Sequence, residues 1–192
     1  MKLSSDAHIY GTTSKTLYSV MSTALEDWSE REYPAVDLLE GQHCRLEEFA
    51  NEHADSLFES TVMQGADDRF RYLPEYANPS REEFDAWFLA KKESRDPKYY
   101  AIVDKATGKV GGRQTFMSIR PEHGVAEIGH IHYSPLISKT TISTEGMFLM
   151  LQYLFDTLKY RPCEWYGSLT LTSLIIFGNR VIILLYALNL TL

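Results

Sequence analysis

The residues best placed to do chemistry lie between positions 124 and 145. A run of small hydroxyl side chains, Ser138-Lys139-Thr140-Thr141-Ile142-Ser143-Thr144, follows Pro135 and carries no apolar period. An apolar helical pattern begins after it and runs from Glu145 to Leu158. The first turn of a helix leaves N–H groups without intrahelical partners, and the dipole adds partial positive charge there. A polar loop feeding such a turn is therefore a site for an anion, a phosphate above all. Upstream, Glu127 is a carboxylate on a predicted strand, a group that can take a proton; its plainer role is a surface or cross-strand ion pair. On a strand of period two, Glu127 shares a face with Gly129, Ile131 and Tyr133, and His130 and His132 take the opposite face. Two same-face histidines without nearby cysteines or paired carboxylates are weak evidence for a metal, and no metal site is expected.

These groups must be held by a strand, a helix and a second strand. The β-branched and aromatic alternation of Val125–Tyr133 predicts a strand closed by Pro135. Upstream, Leu39–Phe49 reads as one strand, and His53–Met63 as a short helix with Asn51 as its N-cap. Ser80-Arg-Glu-Glu83 has capping-box spacing, so a helix begins there. It buries Phe84, Trp87 and Phe88, read as core. Tyr99–Asp104 and Val110–Ile119 are strands joined by a turn at Ala106–Lys109, where Gly108 is free to take a positive φ. Pro121–Gly124 turns the chain into Val125–Tyr133, completing an antiparallel meander. The fold class is α/β (α+β), a mixed, mostly antiparallel sheet flanked by helices. The strand after the 145–158 helix is expected to lie parallel beside 125–133, because that is how a strand–helix–strand crossover returns.

The 192 residues suffice for one domain with a sizeable core. A formal net charge of −7 disfavours nonspecific nucleic-acid binding and mildly favours a cationic or amine partner. The two cysteines, Cys44 and Cys163, make no disulfide framework and read as reduced, buried thiols. The N-terminus MKLSSDAHIY has no apolar core of a signal peptide, so a cytoplasmic protein is expected. Residues 1–35 read as a partly ordered arm in which TLYSVMSTALEDW could form a short helix, 36–166 as the domain, and 167–192 as an atypical apolar tail.

Three stretches resemble the GNAT superfamily of acyl-CoA N-acyltransferases, in particular its RimJ/RimL-like branch. LLEGQHCRLEEF (38–49) is similar to the family's opening strand. LPEYANPSREEFDAWFLAKKESRDPKYYAIVDKATGKVGGRQTFMSIRPEHGVAEIGHIHYSP (73–135) resembles its second helix and central meander, and TEGMFLMLQYLFDTLKYRPCEW (144–165) its main cofactor-side helix and fifth strand. The resemblance implies acetyl-CoA as co-substrate, its pantetheine along the splayed strand edge His130, Ile131, His132 and Tyr133. It places the pyrophosphate on Ser138, Lys139, Thr140, Thr141, Ile142, Ser143 and Thr144. Here the family's usual glycine-rich loop is replaced by hydroxyls and Lys139, with Thr144-Glu145 kept. Glu145, in the first turn, complements the dipole and reads as structural. The resemblance also implies Glu127 as the base for an ammonium and Tyr133 as proton donor to the leaving thiolate, with aromatic packing as the other role for Tyr133. The acceptor is an amine, on a small molecule or a protein N-terminus.

The resemblance stops near Trp165. The segment LTLTSLIIFGNRVIILLYALNL is apolar around one Gly-Asn-Arg break and reads as a β-hairpin, Leu174–Phe177 with Val181–Tyr186, in preference to a membrane span. The function expected is acetyl transfer to a primary amine, impaired by the departure after Trp165. The alternatives are a non-catalytic remnant of that fold or aberrant gene product, and a protein tethered to a membrane by its tail.

Overall fold

The computed structural model describes residues 28–71, 73–75, 77–165, 174–177 and 180–183. The chain divides into two compact units, Met1–Glu30 and Arg31–Leu192, and the second contains every element described below. The helix expected within residues 16–28 falls outside the described residues, apart from Trp28. Residues 31–35 form no helix or strand, but their main chain is tied in: Arg31 N–H donates to the Pro121 carbonyl at 3.1 Å, and Tyr160 hydroxyl donates to the Glu32 carbonyl at 3.1 Å.

Eight strands form one sheet in simple sequence order: β1 (Leu38–Glu40), β2 (Cys44–Glu48), β3 (Lys98–Asp104), β4 (Val110–Arg120), β5 (Val125–Tyr133), β6 (Pro162–Trp165), β7 (Leu174–Phe177) and β8 (Arg180–Ile183). Every neighbouring pair is antiparallel except β5 with β6, which is parallel as the crossover requires. Three helices flank the sheet: α1 (Ala54–Val62), α2 (Arg81–Lys92) and α3 (Thr141–Gln152).

The helices cover opposite faces. Along β3, Tyr99, Ala101 and Val103 join Phe49, Leu57, Phe84 and Phe88 under α1 and α2. Tyr100 and Ile102 join Leu46, Phe116, Ile128, Met150 and Leu154 under α3. Both faces of β3 are thus buried, which is why its sequence reads as an unbroken apolar run. Each such large side chain contributes about 1.5–3 kcal/mol of burial.

The meander, its two turns and β5 lie where the alternation puts them, with Gly108 at φ 70° and Gly124 at φ 60°. The Ser80 capping box is formed: Glu83 N–H donates to Ser80 Oγ at 3.2 Å and Ser80 N–H to Glu83 Oε2 at 2.8 Å. Three expectations change. Leu39–Phe49 is not one strand but the β1–β2 hairpin, because Gly41-Gln-His43 turns the chain. Asn51 does not cap α1. It opens a 3-10 turn (Asn51–His53), Ala50 N–H donates to His53 Nδ1 at 3.0 Å, and the Asn51 amide oxygen accepts from Lys92 at 3.0 Å. The last helix begins at Thr141 rather than Glu145, and ends in a π-type turn (Tyr153–Thr157).

The apolar tail forms a hairpin, with Phe177 opposite Arg180 and Leu174 opposite Ile183, and β7 pairs with β6. The hairpin reading holds for the described residues, its second strand lying at Arg180–Ile183; residues 184–186 fall outside them. Among the described residues, no helix is long and apolar enough to cross a membrane.

Candidate active site

Thr140 stands at the N-cap position of α3, so Thr141, Ile142, Ser143 and Thr144 are its first turn rather than loop. Thr140 does not cap with its side chain. Its hydroxyl donates to the Ile137 carbonyl at 2.6 Å, and the Ser143 and Thr144 hydroxyls donate to the Thr140 carbonyl at 3.0 and 3.4 Å. These protons are spent on backbone oxygens. An anion here would rest on the free first-turn N–H groups, not on the hydroxyl donors the sequence suggested. Lys139 is exposed at φ 61°, and Ser138 Oγ accepts from Arg69, which brings a guanidinium to the loop. A hollow of about 540 Å3 borders Thr140, Thr141 and Ile142 on the side of Gln42 and His43.

Glu145 is engaged elsewhere, on the β1–β2 turn. Its carboxylate accepts from the backbone N–H groups of Gln42, His43 and Cys44 at 2.8, 2.7 and 2.8 Å, locking the β1–β2 turn onto α3. Burial raises its carboxyl, but these three donors outweigh it and hold it below the usual range. The structural role expected for Glu145 is the one it has. Removing the carboxylate leaves the part-buried Cys44 N–H without its acceptor and gives the exposed Gln42 and His43 N–H groups to water, and Glu145→Ala is expected to lower stability by about 1–2 kcal/mol, read as a fall in the urea midpoint without a change in slope.

β5 does not keep a period of two. The β4 pairing runs Arg113↔His132 and then Thr115↔Gly129, so two residues of β5, His130 and Ile131, oppose Gln114 alone. His130 takes the strain of this bulge at φ 46°. The phase inverts there. Ala126 and Ile128 face α3 before it, and Ile131 and Tyr133 face α3 after it. Glu127 and Gly129 stand opposite Met117 and Thr115 on the other face, where His130 meets the Tyr99 ring at 5.7 Å and His132 the Phe70 ring at 4.7 Å. Glu127 therefore shares its face with the histidines and not with Ile131 and Tyr133, the reverse of the period-two expectation.

Tyr133 lies under α3. Its hydroxyl donates to Gln114 Oε1 at 3.1 Å, and Gln114 Nε2 donates to the Gly146 carbonyl at 2.8 Å. Burial pushes the Tyr133 phenol well above its ordinary value. Glu127 accepts from Ser118 Oγ at 3.1 Å. His132 is fully buried and, among the described residues, neither ring nitrogen has a hydrogen-bond partner. Burial, then the Arg113 and Arg69 charges, push it down to about 3, so it is neutral at ordinary pH.

β6 pairs with β5 only at Ala126↔Cys163 and Glu127↔Glu164. Among the described residues, no strand pairs with His130–Tyr133 on the β6 side. On the α1/α2 face of β5 lies a cavity of about 710 Å3. Its apolar walls are Phe70, Phe84 and Trp87; its polar groups include Glu75, Lys91, Arg113 and His130. Phe84 and Phe88 are core, as expected. Trp87 is only partly buried and is a cavity wall.

At the cavity floor Arg113 is 3% exposed, with its guanidinium 4.7 Å over the Trp87 ring and one nitrogen donating to the His130 carbonyl at 2.8 Å. Glu75 reaches Arg113 at 3.3 Å and His130 Nδ1 at 3.4 Å, ion-pair distances without hydrogen-bond alignment. Burial raises the Glu75 carboxyl, but His130 and Arg113 outweigh it and bring it down to about 2. The close fit of β4 to β5 depends on glycine: a Cβ at Gly112 would collide with the His132 carbonyl oxygen.

The arrangement offers a helix N-terminus suited to an anion at the end of the loop that leaves β5 and, on the α1/α2 face of β5, a cavity holding a carboxylate–imidazole contact. Sequence reading had not singled out Glu75, Arg113, Lys91 or Arg69.

Comparison with known proteins agrees with this geometry. Residues 43–176 match a family model described as an acetyltransferase (GNAT) domain, which carries the match beyond Trp165 into β7. The chain is 43% identical to a GCN5-related N-acetyltransferase from Brucella melitensis, with a TM-score of 0.72, over 73% of this chain and 64% of that one. It thus spans just under two thirds of that relative's length. A GNAT-family protein from Chromobacterium violaceum is 27% identical at a TM-score of 0.66, over 73% of this chain and 70% of its own. The spermidine N-acetyltransferase of Vibrio cholerae, solved with CoA and spermine, shares the fold at 14% identity and a TM-score of 0.52, covering 65% of this chain and 71% of that one. No curated protein sequence matches.

Proposed function

The chain belongs to the GNAT acetyltransferase family, and on that premise we propose that it moves an acetyl group from acetyl-CoA to a primary amine, as a member of the RimJ/RimL-like branch. The observation that carries this reading is the β5–α3–β6 crossover, with the α3 N-terminus at the end of the loop that leaves β5 and the cavity beside His130. The residues present fit the co-substrate. The N–H groups of Thr141, Ile142 and Ser143, with Lys139 and Arg69 nearby, suit a pyrophosphate, and the His130–Tyr133 edge of β5 suits an amide-bearing chain. Bound acetyl-CoA supplies the thioester.

In the transfer the amine nitrogen bonds the acyl carbon as the carbon–sulfur bond breaks, the ammonium first losing a proton and the sulfur gaining one. His130 lies at the cavity and its Nδ1 faces Glu75, so its other ring nitrogen is the base this geometry favours, with Glu75 orienting the ring. Glu127, the base suggested by the sequence, stands on the same face and reaches the amine through water. Tyr133 would have to release Gln114 before it could protonate the sulfur.

The test has a binding arm and a kinetic arm. CoA at 100 times its dissociation constant should stabilise the protein by about 2.7 kcal/mol, raising the melting temperature, and Thr141→Glu should abolish the shift. His130→Gln should lower acetyl transfer about 100-fold, Glu127→Gln less, and Tyr133→Phe least, all with CoA affinity kept. CoA binding without transfer to any amine would favour a non-catalytic member of the fold. No CoA shift in the wild type would end the proposal.

A further inference from the structure

The cavity's charges are unevenly matched. Glu75 is engaged with Arg113 and His130. Glu83, at the α2 end of the wall, spends one carboxylate oxygen on the Ser80 N–H. On the same helix Arg81 pairs with Asp55 and Asp85, and Lys92 contacts Glu93. Lys91 differs. It lines the cavity with its ammonium 5.9 Å from the Tyr99 ring centre, and among the described residues no carboxylate lies within ion-pair distance of it.

Glu83, Phe84, Trp87 and Lys91 follow one another along one side of α2 at helical spacing. They present a carboxylate already capped, two aromatic rings and an unmatched cation. His130 lies 5.7 Å from the same Tyr99 ring centre, which bounds the distance between the imidazole and the Lys91 ammonium by the sum of two short contacts. One small molecule can therefore span both. A polycation would meet like charge from Lys91, which costs affinity, whereas an anionic group would find Lys91 available.

We infer that the acceptor is an amine that also carries an anionic group, a carboxylate or phosphate, on an apolar or aromatic body: the amine at His130 and Glu75, the body against Trp87 and Phe84, the anion at Lys91. The inference rests on the acetyl-transfer reading of the same site, and it separates this cavity from one built for polyamines.

Five probes test it: phenethylamine, 4-(2-aminoethyl)benzoate, tyramine, tyramine phosphate and spermidine. With acetyl-CoA and the full chain, kcat/KM for the benzoate should exceed that for phenethylamine at least tenfold, or tyramine phosphate should exceed tyramine by as much; the larger ratio identifies the anion. Lys91→Met should bring that ratio to about one. Lys91→Glu should invert it and raise spermidine above the anionic amines. Equal rates across each pair, a wild-type preference for spermidine, or a ratio indifferent to Lys91→Met would overturn the inference. Calorimetry of the same amines with CoA-loaded protein gives an independent readout. Tight binding of an anionic amine, lost in Lys91→Met, without turnover would sink the acetyl-transfer reading and leave the Lys91 subsite for an anionic amine standing. Absent or equal binding would remove the inference itself.

Discussion

Arg113→Met is expected to cost about 3–5 kcal/mol, the largest single loss of stability available in the candidate site. Methionine fills much of the same volume, so the effect is electrostatic rather than a packing defect. The guanidinium is buried over Trp87 and holds three groups at once: the ring, the His130 carbonyl and the Glu75 carboxylate. Its loss leaves Glu75 as a nearly buried carboxylate with only the His130 imidazole beside it. Glu75→Gln in the Arg113→Met background should recover most of the loss, because a neutral amide does not need the cation. Urea unfolding of the two single variants and the double variant closes the cycle. Additive costs would mean that the two charges do not act as a pair.

Acid should weaken the fold well before carboxylates titrate. His132 has an ordinary value of 6.5 and is brought down to about 3 in the folded protein. Its folded value lies below its unfolded one, so the unfolded chain binds the extra proton between those two limits. The stability tied to neutral His132 is complete above pH 6.5 and is lost as pH falls toward 3. At about 1.4 kcal/mol per pH unit, the loss reaches about 2 kcal/mol at pH 5. Glu75, held at about 2 against an ordinary 4.5, adds its own loss only below pH 4.5. His132→Phe, which keeps a ring against Phe70, should flatten the profile between pH 6.5 and 5. A wild-type stability that is level across that window would show that His132 does not set it.

The scaffold was legible because its signals are local. Alternation placed β3, β4 and β5 to within a residue or so, and the Ser80–Glu83 box placed the start of α2. The hairpin at β1–β2 was missed because its turn, Gly41-Gln-His43, is stabilised from a hundred residues away by Glu145. The face of Glu127 was misjudged because period-two reasoning assumes no bulge, and nothing in VAEIGHIHY marks His130 as the inserted residue. The cavity was less visible still. Glu75 belongs to a segment without periodicity, and it matters only through residues brought in from β4 and β5. One signal was present: Arg113 is a charged residue inside the otherwise apolar and glycine-rich start of β4, and a charge in such a place requires a partner. The Thr- and Ser-rich run pointed to the right helix end, but its hydroxyls turned inward to carbonyls, a local competition that composition alone does not reveal.

The bulge in β5 also makes durability and activity separable at one position. A regular strand offers a given face every second residue, yet β5 gives the cavity face Gly129, His130 and His132, three residues out of four. That density depends on a non-glycine residue held at φ 46°, at an energetic cost of order 1–3 kcal/mol. Replacing His130 with glycine relieves this strain and keeps the bulge, and the carbonyl that Arg113 binds survives the replacement. Selection for robustness alone would therefore erode this histidine unless the cavity gave it a benefit.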